Sequence, residues 1–131
     1  MDKNFNFKDD VELSMPLNPV YIGTARTTAS SIAEKMNFSN SKVEDIKTAV
    51  SETVSLLIKN LDDTTTNSSN FQIKFKPDAK DLKVEFNTSL KTPTNTESDA
   101  LSLKLIKTCM DDVSINYNKD STLNITMSKK I

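Results

Sequence analysis

Glu52, Leu56 and Asn60 share one flank of a single predicted helix, Ser41–Asn60. At 100° per residue they fall at roughly 180°, 220° and 260° from Val43. A carboxylate, an isobutyl group and a carboxamide therefore stand side by side, off the helix's main apolar stripe. A carboxylate alone would be a solvated charge; a leucine next to it is less easily explained as surface. Other chemistry-bearing groups are few. Asp62 and Asp63 offer adjacent carboxylates to a cation, although such pairs in polar loops are usually only solvated. Lys59, Lys104 and Lys107 could receive an anionic ligand, against the ordinary reading of helix lysines as solvated charges. Cys109 has the spacing of a packed helix face, which favours an inert core thiol over a nucleophile. The chain has no histidine, so the commonest metal ligand and neutral-pH general base is missing. Its one glycine, Gly23, lies inside a predicted helix, which excludes a Gly-rich phosphate loop of the Walker or dinucleotide type.

The elements that must position these groups follow from periodicity. Ser41 and Glu44 form an S-x-x-E capping box at the start of the helix. Val43, Ile46, Val50, Val54, Leu57 and Leu61 then recur as the stripe of a helix packed on a sheet. Upstream, Val11, Leu13 and Met15 alternate as a short strand, and Asn18-Pro19 reads as N-cap and N1. The next helix carries Ile22, Ala25, Ala29, Ile32 and Met36 on one face. Gly23, Ala25, Ala29 and Ser30 predict close helix packing, and Asn37 suits the left-handed position that ends the helix. Downstream of the polar loop Leu61–Asn70, Phe71, Ile73 and Phe75 turn through Pro77–Asp81 to Leu82, Val84 and Phe86, a β-hairpin. After the polar connection Asn87–Glu97, Ser98 or Asp99 caps a helix with Leu101, Leu105, Ile106, Cys109, Met110 and Val113 as apolar positions. Val113, Ile115 and Tyr117 lead through Asn118–Asp120 to Leu123, Ile125 and Met127, a closing hairpin.

The order β-α-α-β-β-α-β-β predicts an α+β two-layer sandwich. Its mixed, largely antiparallel sheet of about five strands carries three helices on one face. With 131 residues, 36% hydrophobic and 27% charged, the expectation is one domain over residues 1–131. A net charge of −1 gives no footprint for nucleic acid or an anionic membrane. One cysteine excludes an internal disulfide and fits a reducing compartment. No apolar run reaches spanning length and Met1–Asp10 lacks a signal-peptide core, so a cytoplasmic location is expected.

Asp45-Ile-Lys-Thr-Ala-Val-Ser-Glu52 resembles the helix of the GHKL ATPases, in particular the RsbW-type anti-sigma factors that are also serine-protein kinases. Leu105-Ile-Lys-Thr-Cys-Met-Asp-Asp-Val113 resembles that family's L-I-x-x-x-M-D-x-V, and the resemblance runs over nearly the whole chain. It implies the GHKL sandwich, with Glu52 in the place of the general base. Four residues on, the family has a magnesium-ligating Asn, where this chain has Leu56. The family's D-x-G-x-G box, whose Asp receives the adenine amino group, falls at Phe86, Asn87 or Thr88. No register supplies an Asp or a Gly, and Asn87 is the weak mimic. The lid falls at Leu90–Glu97. The G-x-G-L box, whose glycines expose backbone N–H groups to phosphate, falls at Ser98-Asp-Ala-Leu-Ser-Leu103, with Asp99 at the helix end and Ser102 inside the box.

The resemblance thus implies a degenerate nucleotide pocket at Leu56, Asn60, Asn87, Asp99 and Ser102, with Glu52 the sole catalytic candidate. Leu56, with Ala49 and Thr53, fills the space a nucleotide would occupy in a relative, or else lies exposed on a wide apolar face. The expectation is an anti-sigma-factor-like regulator acting by protein–protein binding, with no cofactor and no metal. Its partners would be a sigma factor or a STAS-type antagonist, with a homodimer allowed and neither nucleic acid nor membrane bound. The alternatives are an active ATP- and Mg²⁺-dependent serine-protein kinase with atypical boxes, and reuse of the emptied pocket for another small molecule.

Overall fold

The computed structural model describes residues 5–60, 71–88, 97–118 and 122–131. Strand β1 (Val11–Met15) leads into a short 3-10 turn, Pro19–Tyr21, and helix α1 (Ile22–Lys35). Helix α2 (Asn40–Lys59), the hairpin β2 (Phe71–Pro77) and β3 (Asp81–Thr88), helix α3 (Glu97–Cys109), and β4 (Asp112–Tyr117) with β5 (Leu123–Lys130) follow. The five strands form one sheet in the order β1-β2-β3-β5-β4, and every pairing is antiparallel. The chain leaves β3 and re-enters the sheet at β4 by way of α3, and β4 runs in the direction of β3. Because β5 lies between them, no parallel pair forms.

Alternation decides which face of the sheet is covered. Phe71, Ile73, Phe75, Leu82, Val84, Phe86, Leu123, Ile125 and Met127 are all buried, with the apolar faces of the helices over them. The opposite face carries Glu12, Gln72, Lys74, Glu85, Asn87, Asn124 and Thr126, a polar surface that no helix or strand among the described residues covers. In α1, Ala25, Ala29, Ile32 and Ala33 are buried, as the small-residue pattern requires. Gly23 does not belong to that packing, because a Cβ there would meet nothing within 4 Å. Asn18 accepts a hydrogen bond from the Val20 N–H, and Asn37 takes φ 68°, both as the sequence predicts.

Three expectations shift. The N-cap of α2 is Ser39, which accepts from the Lys42 N–H at 3.4 Å, and the Ser41–Glu44 box does not form. Glu44 instead pairs with Lys47 at 3.0 Å. Helix α3 starts at Glu97, so Asp99 sits within its first turn rather than at the cap. Leu101 and Leu105 are 68% and 41% exposed, because α3 is seated through Ile106, Cys109 and Met110 instead. The loop at Leu61–Asn70 with Asp62 and Asp63, the lid short of Glu97, and the Lys119–Asp120 part of the last turn lie outside the described residues.

Candidate functional site

The candidate site is the seam between α2 and α3. The second line of α2, Asp45, Ala49, Glu52, Leu56 and then Lys59 and Asn60, runs along it. Glu52 is half-buried, and its carboxylate accepts a hydrogen bond from the Ser102 hydroxyl at 2.8 Å. One turn on, Leu56 is buried, and so is Thr53, whose hydroxyl is spent on the Ala49 carbonyl at 2.7 Å. Two turns from Glu52, the Lys59 ammonium lies 3.5 Å from the Asp99 carboxylate. Partners advance from 52 to 59 on α2 while they retreat from 102 to 99 on α3. The helices therefore run antiparallel, with Leu56 between the two polar contacts.

Asp99 is buried while Lys59 is half-exposed, so the acid is the drier partner. A carboxylate in the first helical turn is also favoured by the helix dipole. Asn60 ends α2: its backbone N–H reaches the Leu56 carbonyl at 3.2 Å and its side-chain amide donates to the same oxygen at 2.8 Å. That carboxamide thus engages its own helix.

The structure gathers Glu52, Leu56, Asn60, Asp99 and Ser102 on the two helices, but separates Asn87 from them. Asn87 pairs laterally with Gln72 and Asn124 on the open face of the sheet. Side chains alternate along a strand, so the helix-facing position at the end of β3 is Thr88, not Asn87. Thr88 is buried, and its hydroxyl has no hydrogen-bond partner among the described residues. The alternation Leu82, Val84, Phe86 carried that signal two residues further.

Sequence reasoning missed a second residue. Lys129 continues the series Leu123, Ile125, Met127 and so points toward the helices. It is buried, donates to the Cys109 carbonyl that ends α3, and lies 3.4 Å from Asp45. Burial, and then the Asp45 carboxylate, push the Cys109 thiol above its ordinary range, with Lys129 opposing. The thiol is free and buried, on the packed face the pattern predicts. Lys104 and Lys107 project from the outer side of α3, away from Glu52, beside an open groove of about 480 Å³. Among the described residues no group of His, Cys, Asp and Glu is arranged to hold a metal, and no helix is long and apolar enough to cross a membrane.

No protein-family model matches the chain. A serine-protein kinase RsbW of Listeria monocytogenes is 30% identical over 140 residues, covering 94% of this chain and 88% of that protein. The Bacillus licheniformis protein of the same name is 26% identical over 136 residues, covering 90% and 84%. A shorter match to the Oceanobacillus iheyensis RsbW, 46% identical over 46 residues, spans 35% of this chain and 29% of that one. Among solved structures, the RsbU and RsbW domains of Rv1364c from Mycobacterium tuberculosis superpose with a TM-score of 0.74. That match covers 93% of this chain and 32% of the other at 10% identity, which is a likeness of fold. With such identity to the Listeria protein across nearly its whole length, the chain belongs to the RsbW serine-protein kinase family.

Proposed function

We propose that this chain is an anti-sigma-factor-like regulator that acts by binding proteins and has given up nucleotide chemistry. The observation that carries this reading is the closed α2–α3 seam: Glu52 engaged by Ser102 at 2.8 Å, with Leu56 buried beside it. The resemblance puts a magnesium ligand at Leu56, and phosphoryl transfer depends on metal to neutralise charge. An isobutyl group supplies no ligand. Where the resemblance puts phosphate, Asp99 supplies a buried carboxylate. Two anions about 4 Å apart at an effective dielectric near 20 repel by roughly 4 kcal/mol. A triphosphate would also have to compete with Asp99 for Lys59.

Titration with ATP–Mg²⁺, read by thermal shift and calorimetry, tests the reading. A ligand at a hundred times its Kd would add about 2.7 kcal/mol of stability. The expected result is no saturable rise in Tm, together with binding of a purified sigma factor or STAS-type antagonist that does not need nucleotide. A saturable rise, or partner binding seen only with ATP–Mg²⁺, would overturn it.

One observation favours the kinase reading instead. A carboxylate at 2.8 Å from a serine hydroxyl is within the distance a general base keeps from the proton it removes. Under our reading Ser102 is an internal stand-in that occupies Glu52. Transfer of radiolabelled phosphate from ATP to a STAS-type protein, or to Ser102 itself, would decide for the kinase.

A further inference from the structure

Helix α3 is held by unlike interactions along its length. Its last turn is pinned, because Ile106, Cys109 and the following Met110 are buried in the core. There the buried Lys129 ammonium donates to the Cys109 carbonyl, and the Asp111 N–H donates to the Ser128 carbonyl at 2.9 Å. The Asp111 carboxylate in turn accepts from the Lys130 N–H at 2.6 Å. The first two turns are anchored differently. Ala100, Leu101, Lys104 and Leu105 are exposed, and Leu103 is half-buried. Polar contacts tie these turns to α2: the Ser102 hydroxyl on Glu52, and Asp99 beside Lys59, with Leu56 buried between them. Water replaces a hydrogen bond at small net cost, but it does not replace the burial of Ile106 and Met110.

We infer that the first two turns of α3, residues 97–104, open from α2 as one local unit while the last turn stays pinned by Met110 and Lys129. Apolar anchoring begins at Ile106, and that sets the size of the unit. Two turns lifted from their neighbour do not persist as a helix, since short isolated helices are marginal in water. Lifting and unwinding are therefore one step. In the open state Glu52, Leu56 and Lys59 lose their neighbours on α3, while Asp45 keeps Lys129. Ser102 is the latch: its hydroxyl occupies the Glu52 carboxylate when the seam is closed and releases it when the seam opens. Segments with few buried apolar contacts are the ones that open locally, and elements that move on binding are drawn from them. The inference goes beyond the protein-binding reading and stands with or without it. Opening supplies no magnesium ligand at Leu56.

Native-state amide exchange of the full chain in low urea, read residue by residue by NMR, is the test. The amides of residues 101–105 should exchange with almost no dependence on urea, because a local opening exposes little surface. Those of Met110 and Asp111, and of Val50 and Val54 in α2, should follow the urea dependence of global unfolding. Ile46→Val lies outside the unit. It should speed exchange at Val50 and Val54 by about two- to tenfold and leave residues 101–105 unchanged. Ser102→Ala lies inside it and should speed residues 101–105 by a common factor of about five, the equivalent of about 1 kcal/mol. Exchange at residues 101–105 that steepens with urea as Val50 does, or that quickens with Ile46→Val, would overturn the inference. So would protection that rises residue by residue from Glu97, the mark of simple end fraying. Urea-independent exchange at Met110 and Asp111 would overturn it too, because the last turn would then not be pinned.

Discussion

Helix α2 presents two lines of side chains that meet different neighbours under different rules. Val43, Ile46, Val50, Val54 and Leu57 are at most 5% exposed and wholly apolar. Along the α3 side, the carboxylates Asp45 and Glu52 and the ammonium of Lys59 follow at intervals of two turns, with Ala49 and Leu56 buried between them. Each has a polar counterpart: Lys129, which also caps α3 at Cys109, then Ser102, then Asp99. Any apolar side chain of suitable volume can serve the first line, since burial is non-directional. The second line works through particular atoms at particular distances. Substitutions along the first line therefore need only conserve apolar volume, whereas those along the second must conserve particular polar atoms to keep the same contacts.

The largest effect should come from the first line. Ile46→Ala removes a side chain with no exposed surface and should cost about 2–5 kcal/mol in urea unfolding. Leu56→Asn, on the second line, restores the ligand type the resemblance implies. In a closed seam it leaves a carboxamide in a dry site, at about 1–3 kcal/mol. If ATP–Mg²⁺ recovered that stability in a thermal melt, the seam would be open to nucleotide and the contrast between the lines would collapse. We expect no recovery.

How far each line was legible in the sequence follows the same division. The periods of Ile22–Met36, Val43–Leu57, Phe71–Phe75 and Leu123–Met127 set helices, strands and covered faces, because a core needs only apolar residues at the right spacing. Even the second line of α2 was visible as a deviation from the stripe. What it touched was not, because Ser102 and Asp99 belong to a helix whose start the sequence put too late. The pattern makes Ser98 or Asp99 the cap, whereas α3 already begins at Glu97. Asn87 was set in the pocket on chemical likeness, although alternation assigns the position to Thr88. Lys129 lies one step beyond the alternation Leu123, Ile125, Met127 that defines the strand, and only the fold brings Asp45 and the Cys109 carbonyl to it. Leu101 and Leu105 were absorbed into the core stripe because two apolar lines on one helix cannot be separated by spacing alone.

Ser102→Ala should cost about 1 kcal/mol, since it removes a hydrogen bond to a charged acceptor at a half-buried site that water can partly replace. Glu52→Gln should cost less, because the carboxamide oxygen still accepts from the Ser102 hydroxyl. If instead Glu52→Gln were the more damaging of the two in equilibrium denaturation, the carboxylate would be holding something besides Ser102.

The smallest effect lies at the far end of the seam and depends on pH. Burial, with Asp45 adding to it, holds the Cys109 thiol above its unfolded value, so the folded chain keeps that proton longer than the unfolded chain does. The resulting stability is complete below the ordinary thiol range, near about 8.5, and is lost as pH climbs through the raised value. Urea midpoints measured from neutral to alkaline pH should therefore fall for the parent more steeply than for Cys109→Ala. Groups elsewhere that titrate in this range act on both proteins and cancel in the comparison. Native Cys109 should also react with a thiol reagent far more slowly than the urea-unfolded chain at the same pH. Equal slopes together with fast native labelling would mean that the Asp45–Lys129–Cys109 end of the seam opens in solution. Polar contacts would then hold α3 less firmly than apolar burial holds the first line.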